Sequence, residues 1–279
     1  YTWCIHTLHL HHPYHSEIKN ISRRHKSRYY SYCTMKDIPD HVLSSVVRLI
    51  VHKTHADADT PYAVSTGSTA TGTGFFIDTH GHILTCAHVI ADASQVEVEI
   101  PSKGNRRFKA TLLGICPVFD LGMVRIVNYS YSNACSLDEH AWDTVQSGDA
   151  VTAVGFPLKM SHQKQTKGVV VGREMNKYQT DVVILSGNSG GPLFKDSRVI
   201  GVNSNSPARE DVEDAVIGYA VPIARYYLVA DMLKQPGRVI RFPTDLGVGL
   251  QNTYAEWRTY VEQPRSSTKK RSRVGHRTV

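Results

Sequence analysis

The chain has 279 residues, 41% of them apolar, with 32 Lys and Arg against 25 Asp and Glu. That is enough apolar material for a packed core, yet no apolar run nears the roughly 18 to 20 residues of a membrane span, so a transmembrane helix is not expected. The +7 net charge belongs to the ends: residues 1–36 hold six basic residues against one Glu and residues 265–279 six against none, which leaves a slightly acidic middle and argues against a dedicated nucleic-acid-binding core.

Residues 1–40 read as a basic, His- and Tyr-rich extension. His6, His9, His11, His12 and His15 fall close together, but without partner ligands or fixed geometry they define no metal site, and neither a metal nor any other cofactor is expected. Residues 1–15 lack the apolar stretch of a secretory signal. The five cysteines are odd in number and show no close pairing, which argues against a disulfide framework and points to an intracellular reducing compartment rather than secretion.

From residue 41 the pattern is strand-rich, with short β-favouring runs broken about every ten residues by glycine, proline or polar turns. Val46 to Val51, Thr73 to Ile77, Ile83 to Thr85, Val96 to Ile100, Phe108 to Leu113 and Leu121 to Ile126 supply one set of six strands. The histidine of interest, His88, follows the third of these, where an apolar strand runs into a polar turn. Asp120 opens the sixth, and an acid that leads into a buried strand needs a partner.

Residues 128–148 read as a crossover. Val151 to Val154, Gly168 to Val171, Thr180 to Ile184, Pro192 to Phe194, Val199 to Asn203 and Gly218 to Val221 supply a second set of six. Within it, Gly187-Asn188-Ser189-Gly190-Gly191-Pro192 places a serine hydroxyl beside exposed backbone N–H groups, two of the parts of an acyl-transfer site. A serine hydroxyl is a poor nucleophile at neutral pH, and His88 and Asp120 are the base and carboxylate that would activate it. The spacing of Ile223, Tyr226, Tyr227, Ala230 and Leu233 then predicts a helix over 223–235, ended by Pro236-Gly237, with its tyrosines in the core.

Several blocks together resemble the trypsin-like protease domain of the HtrA (Deg) family. They are Gly72-Thr73-Gly74-Phe75-Phe76-Ile77-Asp78 with the His88 segment, the Asp120 segment, Gln179-Thr180-Asp181 leading into the Ser189 loop, Val199-Ile200-Gly201-Val202-Asn203, and Gly218-Tyr219-Ala220-Val221-Pro222. The resemblance implies an all-β fold of two six-stranded antiparallel barrels with a C-terminal helix, barrel one over about 41–127 and barrel two over about 148–222, inside a protease domain of 41–235. It implies catalysis by His88, Asp120 and Ser189, with an oxyanion hole at Gly187, Asn188 and Ser189. Substrate contacts are expected from Val183, Ile184, Val202, Asn203 and Ser204. Val183 stands six residues before the nucleophile, where arginine-specific relatives have an acid, so aliphatic side chains are the expected substrates of the primary pocket. Polypeptide segments that are unfolded or exposed are the expected partners.

The sequence also departs from that family. Leu185-Ser186 stand where Asn-Pro is usual before the nucleophile loop. Residues 236–264 resemble the linker and opening strand of a PDZ domain, and too few residues follow to complete one. Tyr29, Tyr30 and Tyr32 fall where relatives carry an aromatic segment used in trimer formation, so the resemblance implies a homo-trimer as one assembly. The basic tail, residues 265–279, reads as a solvated tail, with a nuclear localisation signal or a phosphate-binding arm as the other readings. A protease-like scaffold that binds polypeptides or nucleic acid without cutting is the alternative function.

Overall fold

The computed structural model describes residues 38–54, 67–104, 106–129, 131–174, 176–204 and 217–240. The His-rich and Tyr-rich segments, most of the PDZ-like stretch and the basic tail lie outside the described residues.

Barrel one is built from β1 (Val46–Thr54), β2 (Gly67–Phe76), β3 (His82–Thr85), β4 (Ala93–Glu99), β5 (Arg107–Cys116) and β6 (Leu121–Ile126). All neighbours run antiparallel in the order β5-β4-β1-β2-β3-β6, and a β5–β6 pairing closes the ring. β1 is rich in β-branched residues that suit a pleated, covered surface, and Val46, Val47, Leu49 and Val51 are wholly buried. Phe75, Leu84, Leu121 and Met123 fill the same core, each such side chain contributing roughly 1.5 to 3 kcal/mol by leaving water.

Barrel two comprises β7 (Ala150–Gly155), β8 (Lys164–Glu174), β9 (Lys177–Thr180), β10 (Pro192–Lys195), β11 (Arg198–Ser204) and β12 (Gly218–Pro222). It is a closed barrel in the order β10-β11-β12-β9-β8-β7, with Phe156, Tyr178 and Phe194 buried in its core. The expected strand over 180–184 is corrected: β9 ends at Thr180, and residues 181–184 lead into the Ser189 loop. The apolar run Val182-Val183-Ile184 mimics a strand, but only Val182 is fully buried while Val183 faces solvent. Gly218 on β12 pairs with Thr180, so the ladder stops where the chain must leave the barrel.

Four short or medium α-helices complete the described fold: α1 (Asp40–Leu43), α2 (Ala87–Ile90), α3 (Ala141–Thr144) and α4 (Ile223–Leu233). The crossover carries α3, which is tied to β8 by Arg173. Its guanidinium lies 4.3 Å from the Trp142 ring centre and donates to the Trp142 and Val145 carbonyls. α4 buries Ile223, Tyr226, Val229 and Leu233, the three-to-four spacing expected, while Tyr227 is more exposed. Beyond it, β13 (Arg238–Val239) adds to barrel one in parallel beside Gly114 and Ile115 of β5. No described helix is long and apolar enough to cross a membrane.

Candidate active site

His88 sits in α2, a single helical turn that follows β3 directly. Asp120 ends the Pro117–Asp120 turn that feeds β6, and it holds a left-handed backbone conformation, φ 54°, that aspartate tolerates better than bulky residues. The two meet closely: His88 Nδ1 is 2.9 Å from each Asp120 carboxylate oxygen, and the His88 backbone N–H donates to Oδ1 at 3.1 Å. Ser204, at the end of β11, donates its hydroxyl to Asp120 Oδ2 at 2.8 Å. Burial alone would raise the Asp120 carboxyl, but the His88 and Ser204 hydrogen bonds and the His88 charge outweigh it, and the group is held below the usual carboxylate range.

Asn203 brings the serine loop to the histidine turn. Its backbone carbonyl accepts from Gly190 N–H at 2.8 Å and from the Cys86 thiol at 3.2 Å, so one acceptor joins the residue after Ser189 to the residue two before His88. Ser189 Oγ is buried and has no hydrogen-bond partner among the described residues.

The loop itself is shaped from barrel one. Thr73 on β2 donates its hydroxyl to the Gly187 carbonyl at 2.6 Å, accepts from Phe156 N–H at 3.0 Å, and donates its own backbone N–H to the Ser189 carbonyl at 3.0 Å. Leu158 N–H, in turn, holds the Ser186 carbonyl at 2.7 Å. The carbonyl and N–H of one trans peptide point in opposite directions, so fixing Ser186 C=O also fixes the direction of Gly187 N–H. Gly187 and Gly190 have φ of 98° and 85°, and a Cβ on either would overlap neighbouring atoms, Phe156 O in one case and Thr85 Oγ1 and Thr73 O in the other.

The expected substrate residues separate into two groups. Val183 is exposed, and Ile184 is half-buried beside Gly218. Val202 is sealed inside the packing, on the same face of β11 as Ser204. Asn203 uses its side-chain N–H to hold the Pro192 carbonyl, and Ser204 supports the carboxylate. Sequence reasoning does not single out Thr73. It lies in the Gly72-Thr73-Gly74 block, but nothing local signals a bond to a residue 114 positions away.

Cys86 Sγ, the His88 ring and the Asp120 carboxylate come within 4.8 Å of one another, a spacing that a metal ion could bridge. The His88–Asp120 bond already accounts for one side of that triangle. Burial, reinforced by the Asp120 charge, pushes the Cys86 thiol well up, which keeps it protonated and a poor ligand.

A family profile described as a trypsin-like peptidase domain matches residues 72–202. A probable periplasmic serine endoprotease, DegP-like, from Pseudomonas fulva is 34% identical over 179 residues, covering 61% of this chain and 36% of that protein. The mitochondrial serine protease HTRA2 of Drosophila ananassae is 35% identical over 165 residues, 54% of this chain and 36% of that protein. The chain thus spans little more than a third of these relatives. A solved HtrA-type protease AlgW with a decapeptide superposes with a TM-score of 0.58 at 25% identity, over 72% of this chain and 68% of that one.

These relatives correct the expected compartment. The DegP-like proteins of Pseudomonas fulva, Pseudomonas putida and Halomonas elongata are described as periplasmic, which points to a secreted location rather than an intracellular reducing one. The cysteine count misleads for a physical reason. Cys86, Cys116 and Cys135 are free but buried, and a buried thiol packs as a small apolar group whatever the redox state outside. Its two closed barrels and the profile matched over residues 72–202 give the chain the trypsin-like double-barrel fold, and the relatives it resembles are serine proteases of the HtrA type.

Proposed function

We propose that the chain is a serine endopeptidase that cleaves polypeptides through Ser189, His88 and Asp120. The observation that carries this reading is the His88–Asp120 pair, joined through the Asn203 carbonyl to a serine whose buried hydroxyl is left unpaired. With Nδ1–H directed at Asp120, the Nε2 lone pair is free to accept a proton. Ser189 Oγ attacks the scissile carbonyl carbon as its proton passes to His88 Nε2. The resulting oxyanion is met by the N–H groups of Gly187 and Ser189, each worth roughly 3 kcal/mol in comparable sites. Collapse of the tetrahedral species expels the amine, which takes the proton from His88, and water then releases the acyl group by the same route. Asp120 keeps its charge throughout and stabilises the imidazolium.

The substrates are exposed or unfolded polypeptide segments, and the similar HtrA-type protease AlgW was solved with a decapeptide. The exposed Val183 and half-buried Ile184 bring apolar surface and no countercharge to the primary pocket, which favours small and medium aliphatic side chains over Arg or Lys. A fluorophosphonate probe reacts only with activated serines, so the purified protein should be labelled and its Ser189→Ala variant should not. Equal labelling of both, or of neither, overturns the reading. A peptide library should show cleavage after aliphatic residues; efficient cleavage after Arg or Lys removes the pocket assignment while leaving the nucleophile in place.

A further inference from the structure

We infer that Lys177 is a positioning residue for the catalytic pair, acting from behind through Ser204 on Asp120. The inference rests on the proposed roles of Ser189, His88 and Asp120. Lys177 opens β9, and Tyr178 beside it points into the core of barrel two, so Lys177 and Gln179 face outward. In the antiparallel register Gln179 stands opposite Tyr219, and Tyr219 opposite Ser204, which puts all of these side chains on one face. On that face Lys177 Nζ lies 3.3 Å from Ser204 Oγ, and Ser204 Oγ lies 2.8 Å from Asp120 Oδ2.

An ammonium group has donors and no lone pair, so at Ser204 the lysine must donate and the hydroxyl oxygen must accept. The serine's own proton is thereby directed to Asp120, and hydrogen bonds in such a chain polarise one another. Lys177 thus does two things: it fixes the rotor that supports the carboxylate, and it holds a positive charge two hydrogen bonds from the catalytic pair. A cation there opposes the formation of a second cation on His88.

The other groups around the pair leave that sign unchanged. Asp120 is the direct partner of His88 in every case. Cys86, behind it, is a neutral thiol at working pH. Glu174 stands opposite Lys177 across the β8–β9 hairpin, and its carboxylate is engaged by Gln179 Nε2 and by Tyr219 OH at 3.0 Å. The cation is joined to the Asp120 carboxylate through the single Ser204 hydroxyl, and removing it should ease protonation of the imidazole.

The test compares wild type, Lys177→Met and Lys177→Arg at low ionic strength. The rate of fluorophosphonate labelling of Ser189 is followed from pH 5 to 9, and the His88 imidazole is titrated by NMR. Coulombic attenuation over this distance gives a rise in the midpoint of roughly half a pH unit for Lys177→Met, reversed by Lys177→Arg and reduced by salt. A merely structural role would lower the plateau rate in Lys177→Met without moving either midpoint, and that result overturns the inference. Labelling of wild type with unchanged midpoints leaves the nucleophile in place and removes Lys177 alone; absence of labelling in wild type removes the protease reading and this inference with it.

Discussion

Thr73 illustrates how much of the site rests on a single hydroxyl. It bridges Gly187 O and Phe156 N–H, both in the other barrel. In Thr73→Val the shape is kept and both partners lose their bond, at about 1 to 3 kcal/mol for each group left buried and unsatisfied. The expected outcome is a lower melting temperature together with a labelling rate reduced about tenfold or more, because the proposed oxyanion loop loses its tether. Asp120 gives a pH-dependent counterpart. Its carboxyl is held below the usual range in the folded chain, so its contribution to stability is complete above the unfolded value of ~3.9 and is lost as pH falls through the lower folded value. The melting temperature of wild type should therefore exceed that of Asp120→Asn at neutral pH, and the gap should close below pH ~4. A gap that stays constant in acid would show that the ion pair is not its source. The triad candidates were legible because His88, Asp120 and Ser189 each lie in a block with recognisable neighbours. Thr73 and Lys177 were not, since each acts on a partner that only the closed barrels bring near.

At the scale of elements, the loop from Leu185 to Gly191 is the segment whose form matters most. Gly190 holds φ 85° with Thr85 and Thr73 packed where a Cβ would go, so Gly190→Ala must shift β2 or β3. A loss of several kcal/mol is of the order expected for combined backbone strain and overpacking, and a denaturant midpoint close to wild type would contradict the packing described. The strands were largely legible from alternation and turn residues, as β1, β6 and β11 illustrate. The exception, at 181–184, has a clear cause. A run of β-branched residues carries the same local preference whether it is paired or not, and the end of β9 is set by where Gly218 and Thr180 stop pairing. Pairing is a property of the partner strand, which local sequence does not contain. The added strand β13 was illegible for the same reason: two residues acquire strand geometry only because β5 offers a free edge beside Gly114 and Ile115.

At the scale of the whole molecule, the contacts of the site are also contacts between the barrels. Thr73 reaches Gly187 and Ser189, Ser204 reaches Asp120, and Cys86 reaches the Asn203 carbonyl. The two barrels should accordingly unfold in one calorimetric transition that coincides with loss of labelling; two resolved transitions would show that these links are energetically minor. Compartment was the property least legible at this scale, because sealed thiols carry no record of the redox conditions outside. The same sealing gives the protein an internal clock. Cys86 and Cys116 belong to barrel one and Cys135 to the crossover packed against Phe76, whereas barrel two carries no cysteine among its described residues. Alkylation followed site by site with a peptide-level readout would then time each opening of the first barrel in the native state, a motion to which the second barrel is silent.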